Sequence, residues 1–197
     1  MNIDYRNDPK FWQRFLKCAG YYSGEIDGAF GPQSLEAVHN FEQQSVAIAN
    51  QLGSFDGRTE LNIQTLLPAA QRKAREFMKA VGNGNATVKI ISGTRTFAEQ
   101  DRLYRQGRDL PGSRVTNARG GQSNHNFGVA WDIGLFQSGQ YLGESPLYAK
   151  IGVIGKRLGC EWGGDWSRFK DEPHFQVVPE ANLHSIATKF AAGTAFV

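Results

Sequence analysis

Cysteine is scarce in this chain: Cys18 and Cys160 are the two it has. Two thiols are too few to staple a small secreted scaffold, so the fold must rest on a hydrophobic core. Both read as buried thiols, and a bridge between them would join two distant parts of the chain. Long apolar runs are missing as well. No stretch reaches the roughly 18 residues that a membrane-crossing helix needs, which excludes stable membrane insertion. Met1 to Pro9 carry no basic start, no apolar stretch and no small-residue cleavage site. A secretory signal peptide is therefore not expected, and synthesis in the cytoplasm is. A large net charge is absent too: the total is +3 over 197 residues.

What is present is the composition of a globular protein, 40% hydrophobic and 21% charged, neither disordered nor fibrous. The length allows one ordinary domain with a small module attached. The small net charge hides an asymmetry. Residues 1–66 hold five basic and eight acidic side chains, and residues 67–197 hold 17 and 11. The second part could be drawn to an anionic polymer, and a mildly basic surface without a specific partner explains the same numbers equally well. The basic residues are scattered and form no known nucleic-acid motif, so nucleic acid is not expected as a partner.

The first part reads as helices. Asp8 can cap a helix that Pro9 opens, with Phe11, Trp12, Phe15 and Leu16 on one face and Gly20 as its stop. Gly31-Pro32 opens a second helix, with Leu35, Val38 and Phe41 as its expected buried face. A long Gln-rich stretch, Gln43 to Gln51, comes before Phe55-Asp56-Gly57 and a third helix over 59–67. Pro68 starts a new region. A helix over 69–81 ends at Gly82-Asn83-Gly84-Asn85. A strand follows at 88–92, and a helix over 96–106 has Thr96 and Glu99 at capping-box spacing. A glycine-containing loop covers 107–122. A strand over 129–136, a helix over 145–158, a strand over 174–178 and a helix over 179–191 complete the chain. That order gives α+β with a small antiparallel sheet and flanking helices, preceded by a three-helix module. The expected units are residues 1–66 and 67–197.

Four histidines are present, and two of them, His125 and His174, sit in polar settings beside carboxylates. His125 and Asp132 are seven residues apart. At roughly 3.3 Å per residue a straight strand would separate them too far to share one ion, so the chain must turn back at Gly128. With His174 as a third ligand, the set suits Zn²⁺ with a fourth position left for water. By spacing alone, a loop-capping histidine, an aspartate paired with an arginine and a core histidine account for the same residues. His39 and His184 carry no motif and read as ordinary helix residues. Trp131, Trp162 and Trp166 read as packing.

Two stretches resemble known families. Tyr21-Tyr22-Ser23-Gly24-Glu25-Ile26-Asp27-Gly28-Ala29-Phe30-Gly31-Pro32, followed by Ala37, Val38 and Phe41, resembles the type-1 peptidoglycan-binding domain. It departs from that pattern at Ser34, where threonine is usual, and in the long Gln-rich stretch. Ser123-x-His125-x-x-Gly128-x-Ala130-x-Asp132 is similar to the signature of the M15 zinc peptidases. Ser92-Gly93-Thr94-Arg95-Thr96, ending in Glu99-Gln100, resembles a second block of that family. Glu161-Trp162-Gly163-Gly164-Asp165-Trp166 and Asp171-x-Pro173-His174 resemble its phage L-alanyl-D-glutamate endopeptidase branch.

The resemblance implies Zn²⁺ held by His125, Asp132 and His174. It implies Asp171 as general base, with Glu172 a distant second, and Arg95 as the cation that steadies the oxyanion. Gln100 and Ser123 fall at positions expected to touch the substrate peptide. The chain as a whole then looks like an endolysin: a peptidoglycan hydrolase cutting a stem-peptide amide, L-Ala–D-Glu first, with bacterial peptidoglycan as partner and a monomer as default. It would act in the periplasm or wall after release through a holin-type membrane lesion. The alternatives are a D-Ala-D-Ala carboxypeptidase, which shares the metal core, and a non-catalytic wall-binding protein. The intact set of five site residues speaks against the last.

Overall fold

Where the chain writes its own caps, helices form as the sequence predicts. The computed structural model describes residues 3–82, 84 and 86–197; Met1, Asn2 and the two asparagines of the Gly82–Asn85 stop lie outside the described residues. Helix α1 spans Pro9–Cys18, and the Asp8 carboxylate accepts the Phe11 amide. Helix α2 spans Pro32–Leu52 and includes the whole Gln-rich stretch, for which the sequence reading set no structure. Residues 43–51 contain no Gly or Pro, so nothing stops the helix until Gly53, at φ +88°. Its buried face is also different from the expected one. Ser34, Ala37, Phe41, Ser45 and Ile48 face inward, while Leu35 is 47% exposed and Val38 only half-buried. Small residues on the inner face let α2 lie close to its neighbours, which outweighs burying one leucine.

Helix α3 covers Gly57–Ile63, capped by Asp56, and α4 covers Pro68–Val81. Strand β1 is Thr87–Ser92 and helix α5 is Phe97–Arg105, with the Thr96–Glu99 capping box formed in both directions. Strand β2 is Ala130–Gln137 and turns through Ser138 (φ +50°) and Gly139 (φ +80°) into β3, Gln140–Leu142. This hairpin has no counterpart in the sequence reading. Two positive φ values are what a tight two-residue turn requires, and Ser-Gly is a weaker cue for it than Asn-Gly. Helix α6 is Leu147–Arg157, β4 is Glu161–Trp162, β5 is His174–Gln176 and α7 is Leu183–Ala191.

The sheet order is β1-β2-β5-β4, with β3 paired to β2 and every pairing antiparallel. The expected α+β class with a small antiparallel sheet and flanking helices is what forms. Edge strand β1 is covered by α3: Thr59 Oγ1 accepts the Ile90 amide at 3.2 Å, and Asn62 Nδ2 donates to the Ile90 carbonyl at 3.1 Å. The third helix of the N-terminal part thus packs on the sheet.

Two cores result. One gathers Phe77, Ile90, Trp131, Ile133 and Phe175 around the sheet and takes in Ile63 and Leu66. The other joins Phe11, Phe15, Leu16 and Phe41 to Phe127, Val129 and Phe190. Both draw residues from before and after position 66. Burying one such side chain contributes roughly 1.5–3 kcal/mol, a large share of a net stability of about 5–15 kcal/mol. Cys160 lies in the first core and Cys18 in the second, as free thiols that burial pushes up to about 12.

Candidate metal centre and cavity

Sheet register brings two of the candidate ligands together. Asp132 on β2 is the direct antiparallel partner of His174 on β5 and lies opposite Ser92 of β1. The third, His125, sits in a short 3-10 turn, Asn124–Phe127, just before β2. Gly128 ends that turn at φ +69° and folds the chain back, as the seven-residue spacing demanded. A side chain at Gly128 would meet Phe15 of α1 at 2.6 Å, so position and backbone both call for glycine. Gly93 is required for a different reason: a Cβ there would stand 2.4 Å from the Asn62 carbonyl oxygen. That close approach sets the Gly93 carbonyl where it accepts from His125.

The result is a triangle of acceptors. His125 Nε2, Asp132 Oδ1 and His174 Nδ1 lie 3.0–3.2 Å from one another. The outer nitrogens hold the protons. His125 Nδ1–H donates to the Gly93 carbonyl at 2.7 Å, and His174 Nε2–H donates to Gln176 Oε1 at 2.8 Å, an oxygen that also receives Asn124 Nδ2. Each neutral ring therefore turns a bare lone pair inward. Two lone pairs and a carboxylate oxygen in a buried pocket repel unless a cation sits among them. Two imidazoles and one carboxylate are the donor set of a divalent transition metal with an open position.

A proton shared between Asp132 and either ring can stand in for that cation. Burial holds His125 down to about 4, helped by the nearby Arg95. Burial would also depress His174, but the hydrogen bond and charge of Asp132 overcome it and raise that ring. Burial works to raise Asp132; the charge and hydrogen bond of His125, the hydrogen bond of His174 and the charge of Arg95 hold it well below the usual carboxylate range. Asp171 behaves in the opposite way. Burial first, and then the charge of Asp132, push it up to about 6. Its backbone is fixed by a hydrogen bond from its amide to the Gly163 carbonyl and by the His174 amide donating to its carbonyl.

A cavity of about 520 Å³ opens over these groups. Arg95, Ser123, His125, Asp132, Asp171 and His174 all line it, so six of the seven site residues singled out in the sequence meet there. Arg95 reaches the second oxygen of Asp132 at 3.5 Å. Gln100 does not line the cavity. It is fully buried behind the wall, and its Nε2 donates to the Ala118 carbonyl at 2.9 Å. Glu172 is not among the lining residues either, and its carbonyl accepts from the Trp162 indole at 2.7 Å.

Other lining residues escaped the sequence reading. Trp131 and Trp162 pack in the core as expected, but Trp166 walls the cavity, its ring 4.9 Å from that of His174 and its indole donating to Glu161. Tyr141 and Phe169 stand beside it, about half exposed. An exposed aromatic in a loop looks like any other in a sequence, and Tyr141 belongs to the hairpin strand that was not foreseen. Asn124 and Gln176, which orient the His174 ring, carry no sequence cue beyond their neighbours.

Comparisons with known proteins bear on both parts of the chain. A family profile described as D-alanyl-D-alanine carboxypeptidase, of the M15 peptidases, matches residues 116–177. A profile for a peptidoglycan binding domain matches residues 5–45. The peptidoglycan L-alanyl-D-glutamate endopeptidase CwlK of Bacillus subtilis is 42% identical over 125 residues, covering 58% of this chain and 74% of that protein. The crystal structure of the L-Ala D-Glu endopeptidase ChiX of Serratia marcescens aligns with a TM-score of 0.48 at 28% identity, over 63% of this chain and 89% of that one.

Proposed function

The chain belongs to the M15 peptidases, and from that premise we propose that it is a metallopeptidase hydrolysing peptidoglycan at the stem-peptide amide between L-alanine and D-glutamate, with zinc at the His125–Asp132–His174 centre. The observation that carries the chemistry is the triangle of bare acceptor atoms lining a cavity of about 520 Å³. The observation that carries the bond is the 42% identity to a protein named for cutting it.

Zinc bound there supplies Lewis acidity to a water molecule and to the scissile carbonyl. The chain's own residues do the rest. Asp132 stays anionic, and both rings keep their inward lone pairs because Gly93 and Gln176 take the outer protons. Asp171, half-buried with its carboxyl poised at about 6, accepts a proton from the attacking water near neutral pH and returns it to the leaving amine. Arg95 borders the cavity with a fixed positive charge suited to the oxygen that becomes negative as the carbonyl is attacked. Ser123 lines the cavity and would hydrogen-bond the substrate there.

Residues 1–66 are proposed to hold the enzyme on the wall, supported by the profile match over 5–45. A lytic role for a monomer, reached through a membrane lesion, extends the proposal; no helix among the described residues is long and apolar enough to cross a membrane. A second reading, D-Ala-D-Ala carboxypeptidase, is favoured by the description of the profile over 116–177. Mass spectrometry of purified muropeptides after digestion separates the two. Release of the stem peptide with a new D-Glu amino terminus is expected; loss of terminal D-Ala alone would replace the endopeptidase reading by the second.

A further inference from the structure

One wall of the cavity is a strip of chain, residues 115–118, that belongs to no helix or strand, yet it is held from behind by two side chains. Arg108 Nη1 donates to the Thr116 carbonyl at 3.1 Å and to the Tyr104 carbonyl, while Nη2 donates to Asn117 Oδ1 at 3.1 Å. The guanidinium lies 3.9 Å from the centre of the Tyr104 ring, which fixes its plane. Gln100, on the same helix as Tyr104, takes the Ala118 carbonyl. Arg108 does not line the cavity itself.

The held strip keeps its other polar groups free. Among the described residues, the amides of Val115, Thr116 and Asn117 and the carbonyls of Val115 and Asn117 have no protein partner. Free donors and acceptors along a fixed strip at a cavity are what an extended peptide pairs with, backbone to backbone. An unheld strip would have to be ordered at the moment of binding, at a cost of roughly 1–2 kcal/mol for each residue fixed.

We propose that Arg108 is a positioning residue: its guanidinium presets residues 115–118 so that their free backbone groups receive the substrate peptide opposite the metal centre. This rests on the peptidase reading above. Lysine cannot replace it, because a single ammonium does not span two carbonyls and an amide oxygen as a planar fork does. Loss of a contact felt equally by bound substrate and transition state raises KM and leaves kcat alone.

The test uses the full chain with Arg108→Ala, Arg108→Lys and, as a milder loop variant, Asn117→Ala. With a soluble stem peptide, both Arg108 variants should raise KM about tenfold, the scale of one charged hydrogen bond, with kcat within about twofold and the same metal content. Guanidinium ion at millimolar concentration should lower the KM of Arg108→Ala towards wild type. Hydrogen exchange should quicken at Ala118, whose amide donates to Thr116 Oγ1, and stay unchanged at residues 124–134. Asn117→Ala should shift KM in the same direction by less, and it serves alone if the Arg108 variants fail to fold. An unchanged KM, a fall in kcat at constant KM, or loss of metal overturns the proposal. The wild-type product, identified by mass spectrometry, tests the peptidase reading separately. If wild type cleaves nothing, the dissociation constant of the same peptide from each variant takes the place of KM, and equal values overturn the proposal.

Discussion

At the scale of single residues, the proposed site divides into groups that would hold the metal and groups that would act beside it. His125→Ala and His174→Ala each remove an inward lone pair that nothing nearby replaces. Elemental analysis should find the metal lost in both. Asp171→Asn keeps the shape and the backbone anchors to Gly163 and His174 but cannot take a proton. It should retain the metal and lose about 10²–10⁴-fold in rate, the usual scale for general acid–base catalysis. Turnover near wild type with metal bound would move the base elsewhere. Arg95 is subtler than the motif implies. Its guanidinium pairs with the free oxygen of Asp132 as well as bordering the cavity. Arg95→Ala should therefore lower the rate and also weaken metal affinity, a second effect that an oxyanion role alone would not produce.

At the scale of elements, the connection that matters most is between α3 and α4. Arg75 on α4 is fully buried, and its two terminal nitrogens meet both oxygens of Glu60 on α3 at 2.8 Å. One of them also donates to the Gly53 carbonyl. Through Thr59 and Asn62 the same α3 is tied to β1, the strand that leads into Gly93 and Arg95. Breaking the pair strands a charge in the core. Glu60→Gln should cost about 3–5 kcal/mol in urea unfolding, whereas an apolar pair of similar volume at both positions should cost far less. Equal losses for the two variants would show that the ion pair is not the source. The long α2 makes the same point about packing. Its glutamines continue a helix because no breaker interrupts them, and its orientation follows from which face can come close to α1 and α4.

At the scale of the whole molecule, the N-terminal helices and the part that carries the cavity are joined by shared cores. Phe15 of α1 packs against the turn at Gly128, between His125 and Asp132, and the Leu67 amide donates to the Gly128 carbonyl. Phe11 meets Phe97 edge-to-face, with ring centres 5.5 Å apart, and Phe190 at a tilt, with ring centres 5.4 Å apart. Removing residues 1–66 would bare Phe127, Val129 and Phe190 and take Ile63 and Leu66 from the sheet side. Calorimetry of the full chain should show a single cooperative transition. The fragment 67–197 should melt at least 10 °C lower or without a sharp transition, since a loss of about 1 kcal/mol already shifts the midpoint by several degrees. A fragment that melts like the full chain would show the N-terminal part to be an appendage.

The sequence by itself determined most of the local structure and the chemistry. Asp8-Pro9, Thr96 with Glu99 and Asp56-Gly57 declare helix starts because capping needs only residues three or four apart. His125, Asp132 and His174 were legible through the resemblance to the M15 signature, since spacing alone suits a loop cap, an ion-paired aspartate and a core histidine as well. Tertiary structure decided what depends on distant partners: which face of α2 is buried, that α3 covers the edge of β1, and that Trp166 walls the cavity while Trp131 and Trp162 fill the core. It also decided that Gln100 and Arg108 act on the strip 115–118 from behind. These outcomes turn on contacts between residues tens of positions apart, such as Phe15 with Gly128 or Asn62 with Ile90. Local periodicity and propensity carry no information about such pairs, so only the assembled fold could settle them.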